Sequence, residues 1–105
     1  MNPIVTRAEA LAAKVIDAPS GRGLIKSAEA FKVFLTGIPD AGLAAITKPG
    51  LDEISVIAEK VIEHVDARID ANKDSHETKL ECATLIYGIR EAWEAVHRWG
   101  QRLPA

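Results

Sequence analysis

Asp52, Glu59, Glu63, Asp66 and Asp70 recur at spacings of 7, 4, 3 and 4. On a helix, at about 100° per residue, these spacings gather the five carboxylates within about 60° of one another. Like charges three and four residues apart cost roughly 0.2–0.5 kcal/mol per pair, and few lysines share that face to offset them. Three uses fit such a stripe: a solvated outer face, a docking surface for a basic partner segment, or a cation site. Calcium takes its ligands from a flexible loop, so a regular row on a rigid helix does not suit it. Glu94 and His97 stand three apart, the spacing with which di-iron carboxylate bundles bring a carboxylate and an imidazole to one metal. Such a centre needs two of these pairs and two further carboxylates. A homodimer would double the pair, and Asp52 or Glu53 comes level with Glu94 if the two helices form an antiparallel hairpin. With Ile89 at the apolar centre, however, His97 lies about 80° away and Glu94 about 140° away, toward water. Neither a metal nor a cofactor is therefore expected.

His64 lies one step off the acidic stripe, beside Lys60 and Arg68, on the exposed flank of its helix. A small helical bundle presenting one exposed histidine resembles the histidine phosphotransfer domains in outline, and Arg68 is of the right type to neutralise a phosphate. Those domains carry a lysine three residues and a glycine four residues after the histidine; this chain has Ala67 and Arg68 there. His76 reads as a helix-start residue. Cys82 falls on an apolar stripe, where a thiol is inert, and no strained strand-to-helix elbow presents a nucleophile. Ser20–Gly23 lacks the lysine and hydroxyl that follow a phosphate-cradling loop. Trp93, Trp99 and Tyr87 gather near the C-terminus. Trp93 reads as core, whereas Trp99 and Tyr87 fall off the stripe and leave aromatic surface to anchor a partner.

Helices must position all of these groups. Asn2 and Pro3 open a first helix with Ile4, Ala8, Leu11 and Val15 at its centre and Val5, Ala12 and Ile16 beside them, ending before Pro19. Ser20, Gly21 and Gly23 turn the chain into a second, striped by Leu24, Ala28, Phe31 and Leu35 and stopped at Gly37. The Gly/Pro-rich stretch 38–50 leaves room for a short extra helix over Asp40–Thr47. From Leu51, a stripe of Leu51, Ile54, Ile57, Ala58, Val61, Ile62, Val65 and Ile69 predicts a long third helix running to about Asn72. Asp74 or Ser75 caps a fourth, with Glu77 reaching back to Asp74, and its stripe of Cys82, Leu85, Ile86, Ile89, Trp93 and Val96 lasts until Gly100. Gly88 leaves space for a neighbour to approach closely. RAEAL and SAEAF match at an offset of 20, but a stacked array needs three or more units. No segment alternates with a period of two, so the expected fold is all-α. It is a compact four-helix bundle-like domain over residues 1–105, with a long C-terminal helical hairpin and a main core of Val61, Val65, Leu85, Ile89 and Trp93.

Composition sets the class. With 105 residues, 48% hydrophobic and 27% charged, the chain can fill one core without disulfides, and it is neither disordered nor fibrous. One cysteine, no basic stretch followed by an apolar run, and no window near 18 apolar residues lead to the expectation of a cytoplasmic protein without membrane contact. A net charge of −2 argues against broad binding to phosphate backbones. Arg7, Lys14, Arg22, Lys26 and Lys32 are too scattered to form a nucleic-acid stripe. The expected function is a non-enzymatic protein-interaction or regulatory role: an adaptor, inhibitor or assembly component. Its partner is another protein or a second copy in a homodimer, met through Glu59, Glu63, Asp66, Asp70, Tyr87 and Trp99. The alternatives are a metal-binding bundle enzyme completed by homodimerisation and a phosphotransfer-like domain.

Overall fold

Each helix starts where a side-chain oxygen accepts one of its unpaired N–H groups. Asn2 Oδ1 accepts from Ile4 N at 2.8 Å ahead of Pro3. Ser20 Oγ accepts from Gly23 N at 3.1 Å, Thr47 Oγ1 from Gly50 N at 3.2 Å, and Ser75 Oγ from Thr78 N at 3.2 Å. In the computed structural model, which describes residues 2–41 and 46–103, the resulting helices are α1 (Pro3–Asp17), α2 (Gly21–Gly37), α3 (Lys48–Asp70) and α4 (His76–Gly100). No strand occurs among the described residues.

The apolar stripes dictate who packs on whom. α1 contacts α2 and α3, and α4 contacts the same two, so the order around the bundle is α1, α2, α4, α3. The N-terminal ends of α1 and α3 share a recess lined by Val5, Thr6, Pro49 and Glu53, which makes these neighbours parallel. Ile25 and Glu29 of α2 face Leu80 and Thr84 of α4 near both starts, which makes that pair parallel too. Leu51 meets Gly100, so α3 and α4 are antiparallel. The α1–α2 hairpin thus packs on the α3–α4 hairpin, and α2 and α3, consecutive in the chain, stand on a diagonal of the bundle. Lys32 of α2 lies over Gly88, where a Cβ would come 3.1 Å from its side-chain carbons.

The core runs through all four helices, with Val15, Leu24, Phe31, Leu35, Ile54, Val61, Val65 and Ile89 sealed from water. Ile46, before α3, and Leu103, after α4, also join it; no helical period marks either position.

Several expectations need correcting. α3 begins at Lys48, three residues before Leu51, because Thr47 caps it and Pro49 is tolerated in a first turn. It ends at Asp70, and Asn72 turns the chain at φ 55°, a conformation asparagine accepts more readily than most residues. Gly37 does not end α2 in a left-handed turn; the chain continues directly as a 3₁₀ turn, Ile38–Ala41. The short helix expected over 40–47 falls largely on residues 42–45, outside the described residues. Ser75, not Asp74, caps α4, since Asp74 is held by Arg68. Ile16 is exposed and Ile4, Ile57 and Ile69 are half-buried, so the apolar stripes are narrower than drawn. Trp93 packs against the core but is only half-buried.

Candidate functional site

Turning at about 100° per residue, α3 sends Val61 and Val65 inward and leaves the carboxylates on the opposite side. Glu59, Glu63, Asp66 and Asp70 are all exposed, as is Asp52. Among the described residues the one ion pair joins Arg68 to Asp74, so none of their cations neutralises this stripe at contact distance. Val56, 56% exposed, lies within the same face.

Beside the stripe, α3 and α4 leave a groove. Its floor is Ala58, Ile62 and Trp93, and Glu59, Arg90 and Glu94 stand on its rim. Past Ser55 it continues to His97 and Arg98, with Trp93 and Glu94 lining both parts. The His97 ring tilts against the Trp93 indole, centroids 6.3 Å apart at 47°. The groove exists because the α3 positions opposite the indole are Ser55 and Ala58, side chains too small to cover it.

The structure divides the residues singled out from the sequence. Glu59 reaches the groove, while Glu63 and Asp70 continue the acidic face outward and Asp66 stands two turns beyond Glu59; all four are exposed. Tyr87 is 65% exposed, and the neighbouring Glu91 carboxylate pushes its hydroxyl pKa up. Leu80, two turns earlier, is 55% exposed on that outer side of α4. Trp99 is half-buried against the core, about 18 Å along the axis from Tyr87 and about 120° around it, so the two make no common surface. Trp93, assigned to the core by its period, is instead the aromatic residue the groove exposes.

Glu94 and His97 do share a recess, but with Arg98 beside them. Among the described residues no three His, Cys, Asp or Glu side chains come together to hold a metal ion. His64 is half-buried rather than exposed. Cys82 is buried, and loss of solvation pushes its thiol pKa up, against nucleophilic use. No helix among the described residues is long and apolar enough to cross a membrane. Compared with known proteins, the chain matches no family model, and no curated protein or solved structure is significantly similar to it.

Proposed function

We propose that this chain is a non-enzymatic protein-interaction or regulatory component, and that its contact surface is the outer side of the α3–α4 hairpin. The supporting observation is the juxtaposition of a half-buried tryptophan, in a groove rimmed by charge, with a row of carboxylates that has no ion-pair partner among the described residues. Interfaces are commonly built this way, with an aromatic anchor that is desolvated on binding and charges around it that steer the approach.

The test compares proteins captured from native lysate by the wild type, by Trp93→Ala and by Glu63→Lys/Asp66→Lys, each first shown to be folded. The expected result is a set of proteins held by the wild type, lost by Trp93→Ala, and weakened by the double variant. Raising salt from 0.1 M to 1 M, which shortens the screening length from about 10 Å to about 3 Å, should weaken capture too. Equal capture by all three would overturn the proposed surface. Stoichiometric iron, manganese or zinc in the purified protein, lost in His97→Ala, would overturn the non-enzymatic reading.

A further inference from the structure

We infer that the α3–α4 face binds a second copy of this chain, about a twofold axis parallel to the helices, with each acidic α3 row lying on the other copy's Arg90–Arg98 row. This rests on the contact surface proposed above and names its occupant. Asp52, Glu59 and Asp66 follow one another at intervals of seven along α3, and Glu59 lines the groove. Arg90, His97 and Arg98 line the α4 side, with Glu94 among them. One face therefore carries an acidic row on α3 beside an α4 row in which Arg90 and Arg98 flank Glu94. A uniformly basic partner would suit α3 but meet Arg90 and Arg98; an acidic one would suit α4 but meet Glu59 and Asp66. A second copy satisfies both rows at once, and a twofold axis makes every contact twice.

The symmetry operator follows from the charges. A twofold perpendicular to the helices would lay α3 on α3, carboxylates against carboxylates. A twofold parallel to them lays α3 on the other copy's α4 at the same height. Leu51 is level with Gly100, and Trp93 shares its recess with Ala58 and Ile62, which sets the heights. Asp52 then faces the second copy's Arg98, and Glu59 and Asp66 flank its Arg90. The two Trp93 indoles meet near the axis, above the small Ser55 and Ala58. Glu94 brings a like charge to the second copy's Glu59. Arg90 and Arg98, each four residues away on the same helix, offset it.

Sedimentation equilibrium of the full chain over a concentration series tests this. The expected result is a monomer–dimer equilibrium weakened about tenfold or more by 1 M salt. Glu59→Arg alone and Arg90→Glu alone should each weaken it by a similar factor, and the double variant Glu59→Arg/Arg90→Glu should restore most of the loss. Both side chains lie on the groove rim outside any intrachain ion pair, so the variants should fold. A chain monomeric throughout, a dimer indifferent to both single variants, or a double variant without rescue would each overturn the inference. A monomer whose lysate capture still depends on Trp93, Glu63 and Asp66 would remove the second copy and leave the contact surface standing.

Discussion

Asp74 accepts from Arg68 Nε at 2.8 Å and from its Nη2 at 3.0 Å, with the two side chains 11% and 21% exposed. The pair ties the end of α3 to the turn before α4, and its hydrogen bonds raise the Arg68 pKa. Charge-assisted bonds contribute roughly 1.5–3 kcal/mol, less where water reaches them. Asp74→Asn should therefore cost about 1–2 kcal/mol in urea unfolding, and a loss below about 0.3 would reduce the pair to surface decoration. Cys82 gives a pH-dependent test. Its thiol is buried and its folded pKa is raised, so the unfolded chain ionises first as pH climbs past the usual value of about 8.5. Stability contributed by the neutral thiol is complete below that pH and is lost as pH rises through the folded value. Between pH 7 and 9.5 the wild type should lose more stability than Cys82→Ala, and equal losses would contradict a thiol desolvated in the core.

Among the helices, two glycines at equivalent ends should respond in opposite ways to alanine. Gly37 closes α2 in open space, with nothing within 4 Å of an added Cβ and no left-handed conformation to preserve. Gly37→Ala should stabilise by about 0.4–1 kcal/mol by restricting the unfolded chain. At Gly100 a Cβ would sit 2.3 Å from Leu51 Cδ1, so Gly100→Ala should cost about 1–3 kcal/mol through overpacking. Thermal unfolding of the two variants checks the signs. What was legible in the sequence follows the same division between local and tertiary causes. The acidic stripe and the cores of α2 and α4 could be read because spacing along one helix fixes them. The start of α3 was missed because Pro49 and Gly50 read as a break, although proline suits a first turn and Thr47 supplies the cap. The half-burial of Trp93 was missed because it depends on which α3 residues lie opposite, and one helix's period carries no interhelical register. The choice between Asp74 and Ser75 as the cap of α4 stayed open because Arg68, which holds Asp74, lies in the preceding helix.

Across the molecule, charge follows the two hairpins. Residues 1–50 carry six Lys/Arg against four Asp/Glu, and residues 51–105 carry seven against eleven, so the halves differ by six charges, +2 against −4. The bundle order turns the outer face of α3 away from α2, so the mild positive excess of the first half does not neutralise the acidic stripe within the chain. That leaves the α3–α4 face with an acidic row beside Arg90 and Arg98 and an indole between them, the arrangement that supports both the contact surface and its twofold pairing. Amide-resolved NMR of the full chain on dilution, at 0.1 M and at 1 M salt, tests that claim most directly. Shifts confined to residues 52–66 of α3 and 90–98 of α4, and much reduced at high salt, are the predicted result. Shifts centred instead on Arg22, Lys26 and Val33 of α2, or a spectrum unchanged across the dilution series, would contradict it.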